Sequence, residues 1–117
     1  MSAKPKLAVR FFQTSEGREP VREWLKGLPD EDRKAIGDDV RTVQFGWPVG
    51  MPLVRKMDDG LWEVRVNLRN RIARVLFTVM EDQAVLLHGF IKKSTKTPDF
   101  DLETAKQRRK LLQPAKE

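Results

Sequence analysis

Three stretches near the middle of the chain are rich in β-forming residues and alternate in character: Leu61 to Val66, Ile72 to Met80 and Ala84 to Ile91. Short polar connections, Asn67-Leu-Arg-Asn-Arg71 and Glu81-Asp-Gln83, separate them, as successive antiparallel strands require. Side chains alternate faces along a strand, so Trp62, Val64 and Val66 share one face while Glu63 and Arg65 point with Leu61 to the other. In the second stretch Val75, Phe77 and Val79 oppose Arg74, Leu76 and Thr78. The pattern predicts a three-stranded meander with one apolar face and one face that carries charge.

The flanking segments read as its support. Leu7 to Phe12 is a short β-prone run closed by the turn-rich Gln13-Thr-Ser-Glu-Gly17, and it predicts a first strand added to the meander. From Glu19 the period changes. Pro20 suits a first helical turn, Val21, Trp24, Leu25 and Leu28 fall on one helical face, and Gly27 and Pro29 end the helix. A second helix starts near Asp30, with Asp30, Glu31 and Asp32 at its positive dipole end and Ile36, Val40, Val43 and Trp47 as its apolar stripe. This hairpin is expected to cover one sheet face, with Trp24 and Trp47 as packing residues rather than base-stacking ones.

Val49 to Asp59 reads as a connecting segment in which Leu53 to Met57 is a short extended piece. After the meander the chain re-enters a helix, with Thr97 as N-cap, Pro98 in the first position and Asp99, Asp101 and Glu103 near the start. Lys106, Arg108, Arg109 and Lys110 come near its end, and Leu102, Ala105, Arg109 and Leu112 recur at helical spacing. The expected fold is therefore α+β, a small antiparallel-dominated β-sheet packed with helices in the order βααβββα, with residues 1–117 as a single domain.

Composition narrows the function classes. A chain of 117 residues supports one core. With no cysteine, disulfides and thiolate zinc ligation are excluded. No apolar run reaches the roughly 20 residues of a membrane span, and the N-terminus lacks the apolar segment of a signal peptide. A soluble, cytoplasmic protein with no membrane partner is the expectation. Lysine and arginine number 23 against 17 acidic residues, a net charge of +6, which favours polyanionic partners.

Two readings of the charged face stay open on the residues alone. Glu63 and Arg65 share strand parity, so they either form an ion-pair network on a wet face or serve a phosphate. His88, the only histidine, is either a hydrogen-bonded structural residue in an apolar strand or a proton carrier. Parity groups it with Phe90 and Lys92 and sends Lys93 to the other face.

The succession Gly60-Leu-Trp-Glu-Val-Arg65, Arg74-Val-Leu-Phe77 and Leu87-His-Gly-Phe-Ile-Lys-Lys93 resembles the RelE/ParE superfamily of toxins, in its HigB-like branch that includes the phage-derived Gp49-like proteins. The resemblance covers nearly the whole chain. It implies the toxin of a type II toxin–antitoxin pair: an endoribonuclease that cuts messenger RNA on the ribosome by attack of the ribose 2′-hydroxyl on the adjacent phosphate, without a metal or other cofactor. It also implies a helix-turn-helix, HigA-like antitoxin as partner, in a hetero-oligomer on operator DNA. Such a reaction needs a base, cations for the charge developing on phosphorus and an acid for the 5′-oxygen.

Arg74 matches the family arginine that opens the central strand, Arg65 a basic position on the strand before it, and Lys92 and Lys93 the basic end of the last strand. Glu63 and His88 are the candidate bases. Arg55, Lys56, Arg69, Arg71, Lys96, Arg108 and Arg109 are the expected contacts to RNA or ribosome. Arg74→Ala is expected to abolish activity and leave the fold intact. The chain departs from its best-known relatives in having no tyrosine for stacking or proton transfer. The rival readings are a ParE-like gyrase poison, which leaves messages uncut, and a non-catalytic phage-derived binding protein of the same fold.

Overall fold

A computed structural model describes residues 4–92 and 97–112. The elements run β1 (Ala8–Phe11), α1 (Pro20–Lys26), α2 (Asp30–Gly46), β2 (Val54–Asp58), β3 (Leu61–Leu68), β4 (Arg71–Met80), β5 (Gln83–Lys92) and α3 (Asp99–Leu112). The five strands form one sheet in the order β1-β5-β4-β3-β2, antiparallel except where β1 lies parallel to β5. The α+β class stands as the sequence implies, with one strand more than expected.

That strand is β2. The segment expected to connect α2 to the meander instead pairs with β3, Val54 opposite Val64, Arg55 opposite Glu63 and Lys56 opposite Trp62. Its alternation is hidden in the sequence because only Val54 is buried, the other positions of an edge strand facing solvent wholly or in part. Asp59-Gly60 makes the two-residue return to β3, with Gly60 at a φ of 69° that side chains other than glycine adopt only under strain.

The two sheet faces are covered differently. On one, α1 and α2 pack over Val64, Val66, Ala73, Val75, Phe77, Ala84 and Leu86, joined by Val21, Ile36 and Val43 from the helices. Trp47, Trp62 and Phe77 meet there with ring centroids 5.0 to 6.0 Å apart. Trp24 closes the other end of this face against Gly89, where an added Cβ would stand 2.4 Å from its ring carbons. Both tryptophans of the helical stripes are thus packing residues.

On the opposite face α3 lies over β5 and β4, and Ala105 seats among Leu61, Leu76, Val85, Leu87 and Phe90. A bulge opposite Leu76 and Phe77 shifts the β5 register, which lets Leu87 join this cluster beside His88 and Phe90. Among the described residues no helix is long and apolar enough to cross a membrane.

Candidate functional site: a charged row beneath Thr97

Strand pairing lines up the charged positions of the α3 face into rows. One row runs Arg55, Glu63, Leu76, His88 from β2 to β5, and the next runs Arg65, Arg74, Phe90. At about 4.8 Å between strands, Arg55, Glu63, Arg65 and Arg74 fall into one compact group on β2, β3 and β4. His88 lies two strands beyond Glu63, roughly 10 Å away along the backbone, with Leu76 between them.

The centre of the group is dry. Arg74 and Glu63 are both 0 % exposed, their charged groups 3.8 Å apart. Thr97, itself buried, bridges them: Arg74 Nη1 donates to Thr97 Oγ1 at 2.9 Å, and that hydroxyl donates to Glu63 Oε2 at 2.5 Å. Burial pushes the Arg74 guanidinium below the usual arginine value. The Glu63 carboxylate opposes that shift, while the neighbouring charges of Arg65 and Arg55 add to it. Arg55 is exposed and Arg65 half-buried, so both bring positive charge to the surface beside the sealed pair. Lys92, opposite Ile72, is exposed on the same face.

Thr97 enters the site in place of its expected role. The helix begins at Asp99, which leaves Thr97 outside the N-cap position, and its hydroxyl turns to Glu63 and Arg74. Asp101 is a second residue that sequence reasoning placed only as a helix-dipole acid. Its Oδ1 lies 2.6 Å from His88 Nε2, and the imidazole stacks on Phe90 with centroids 5.6 Å apart. The one available signal for both was their position just after a basic strand end, which does not separate a cap from a site residue.

The other candidates go elsewhere. Lys56 faces the α2 side with Trp62. Arg71 is tied to the buried Asp32 of α2 at 3.0 Å, and Arg69 is exposed in the β3–β4 turn. Arg108 donates to the Leu87 carbonyl at 2.8 Å and lies over the Phe12 ring, and burial holds its guanidinium below the usual value. Arg109 donates to the Asp59 carbonyl and stands 3.8 Å from Asp58. These last two clamp α3 to the sheet. Lys93 and Lys96 lie outside the described residues. A cavity of about 560 Å³ beside α3 is lined by Phe12, Thr14, Thr104, Arg108 and Leu111 and includes no member of the charged row.

Chemically, a carboxylate, two surface guanidiniums and a buried one around a hydroxyl form a set that can take up an anionic ester and a proton. Among the described residues no cluster of His, Asp or Glu side chains could hold a metal ion.

The chain is 29% identical over 107 residues to proteins named probable endoribonuclease HigB1 in two strains of Mycobacterium tuberculosis, CDC 1551 / Oshkosh and ATCC 25618 / H37Rv, an alignment that spans 91% of this chain and 85% of each relative. The family model described as phage derived protein Gp49-like (DUF891) matches residues 23–110, which include every residue of the charged row. By that match over most of its length, with the strand succession expected of it, the chain belongs to the phage-derived Gp49-like family.

Proposed function

We propose that this protein is the toxin of a toxin–antitoxin pair and acts as an endoribonuclease on messenger RNA held by the ribosome. The observation that carries the reading is the grouping of Arg55, Arg65, Arg74 and Glu63 on one sheet face. The name of the HigB1 relatives supports the reaction class. Three guanidiniums on one face beside the Glu63 carboxylate make a surface suited to an anionic phosphate.

In this mechanism the scissile phosphate rests on Arg65 and Arg55, whose fork-shaped donors suit its non-bridging oxygens. Arg74 adds charge from below as negative charge grows on phosphorus. The Glu63 carboxylate takes the proton of the 2′-hydroxyl, the 2′-oxygen bonds to phosphorus, and the bond from phosphorus to the 5′-oxygen breaks. The departing oxygen takes a proton from the Lys92 ammonium, leaving a 2′,3′-cyclic phosphate and a 5′-hydroxyl. Glu63 is preferred to His88 as base because its carboxylate already accepts a hydrogen bond from a hydroxyl next to a guanidinium, whereas His88 Nε2 is engaged by Asp101. Ribosomal positioning supplies the alignment that a shallow face lacks. A helix-turn-helix antitoxin is the neutralising partner in this reading, in a complex on operator DNA.

The test is induction of the chain without its partner, followed by sequencing of RNA ends. Growth arrest with new 5′-hydroxyl ends inside messages is expected. Arrest with intact messages would assign the protein to gyrase poisoning instead, and unimpaired growth would assign it to binding alone.

A further inference from the structure

The three atoms that meet at Thr97 have an arrangement that the fold alone does not need. A hydroxyl donates its proton to a carboxylate, Glu63 Oε2 at 2.5 Å, and accepts from a guanidinium, Arg74 Nη1 at 2.9 Å. Deprotonation of a ribose 2′-hydroxyl next to a phosphate calls for the same two contacts: an acceptor for its proton and a cation beside its oxygen. We infer that the space occupied by Thr97 Oγ1 is the 2′-hydroxyl subsite, and that Thr97 is a placeholder which RNA displaces. The inference deepens the ribonuclease reading and rests on it.

Three observations lead there. Glu63 and Arg74 are wholly buried and Thr97 is nearly so, and in this conformation no external hydroxyl reaches the carboxylate. A buried ion pair contributes little net stability compared with apolar side chains of similar size, so its presence in a sheet otherwise lined by Leu61, Leu76 and Phe90 calls for another reason. The bridge is also local. One threonine side chain bridges the pair, while α3 is held independently by Arg108 on the Leu87 carbonyl, Arg109 on the Asp59 carbonyl and Asp101 on His88. Thr97 can therefore turn away without releasing the helix. Its departure frees the hydroxyl position between Glu63 Oε2 and Arg74 Nη1, on the face that also carries Arg55 and Arg65.

The placeholder makes an unusual prediction of sign. If Thr97 supported catalysis, removing its hydroxyl would lower kcat. As a competitor for the 2′-hydroxyl subsite, its removal makes RNA bind better. With ribosomes programmed with a short message, T97A is expected to lower KM by at least about fivefold, the worth of one of the two hydrogen bonds no longer given up on binding, with kcat within twofold of wild type. T97S keeps the hydroxyl and restores the wild-type KM.

A measurement on the unaltered protein stands beside these variants. A competing message with a single 2′-deoxy nucleotide at the cleaved position cannot replace the Thr97 hydroxyl. Its inhibition constant is expected to lie at least fivefold above the KM of the all-ribose message when chemistry is slow. An unchanged or raised KM in T97A, or equal binding of deoxy and ribose messages, overturns the subsite and leaves the ribonuclease reading in place. Messages left uncut by the wild-type protein overturn both.

Discussion

The two faces of the sheet solve the same covering problem with different materials. Under α1 and α2 the contact is mostly apolar, with Trp47 edge-on to Trp62 and Phe77 and Val21, Ile36 and Val43 filling between them, and the ion pair of Arg71 with Asp32 as the exception. Under α3 the apolar cluster around Leu76 and Phe90 reaches β3 only at Leu61, and a carboxylate, a guanidinium and a hydroxyl fill the space beyond it. Apolar burial stabilises whatever the exact partner, whereas a buried charge is tolerable only with its partner in place. The first face sets the stability of the fold. The second holds side chains that stability alone would have exchanged for leucine.

That contrast predicts how each face fails. Phe77→Ala on the apolar face should lose about 3–5 kcal/mol, from lost burial and the cavity left behind, and no second substitution across the sheet should recover it. Arg74→Met should lose a similar amount, about 3–5 kcal/mol, because it leaves Glu63 buried beside an apolar side chain. Adding Glu63→Leu to it should return most of the loss. Urea unfolding of the four proteins measures this, and a double variant no more stable than Arg74→Met would show that the two faces are equivalent. Burial also corrects the expectation that Arg74→Ala leaves the fold intact. Loss of activity in that variant would confound chemistry with unfolding, so Arg65 and Arg55 are the cleaner tests of phosphate contact.

Why the correction was needed says what periodicity can carry. Alternation placed Arg74 on the charged face, and the structure has it there, opposite Arg65. Alternation gives a direction, however, not a depth. The hydroxyl that meets Arg74 in the interior comes from Thr97, 23 residues further along, at a point where local rules favour a helix cap. The same limit applies to β2, whose mostly outward-facing residues leave no alternation to detect, and to Arg108 and Arg109. Their place near a helix end suggested a free basic cluster, and long-range contacts to β5 and the β2–β3 turn instead engage them. The strands and helices were legible because their signals are local. The site was legible only as a face.

His88 and Asp101 allow a smaller test of the same contrast within the α3 face. The pair joins β5 to the first turn of α3, with only a small part of either side chain exposed. If it is a fastening, Asp101→Asn and His88→Gln should each lose about 1–2 kcal/mol of stability, the scale of one hydrogen bond to a charged group. The folded fractions should then cut message at the wild-type rate. Loss of cleavage by folded His88→Gln would move the base from Glu63 on β3 to His88 on β5.

The smallest effect on stability belongs to Arg55, and it is the most informative about RNA. Arg55 is exposed on an edge strand, pairs in register with Glu63, and has no hydrogen bond or ion pair recorded for its side chain among the described residues. Arg55→Ala should leave the unfolding midpoint within the roughly 0.5 kcal/mol scatter of surface substitutions. If the side chain neutralises one phosphate, the variant should bind single-stranded RNA more weakly at low salt. The slope of log affinity against log salt should shrink by about 0.7, the value of one released counterion on a single strand. Lys56 is the matched control, one residue away in sequence and directed to the α2 face by the strand pleat. Lys56→Ala removes the same charge from the same strand, so net charge alone predicts equal slopes for both variants. A change confined to Arg55 requires the RNA to lie on the α3 face, over Glu63 and Arg74.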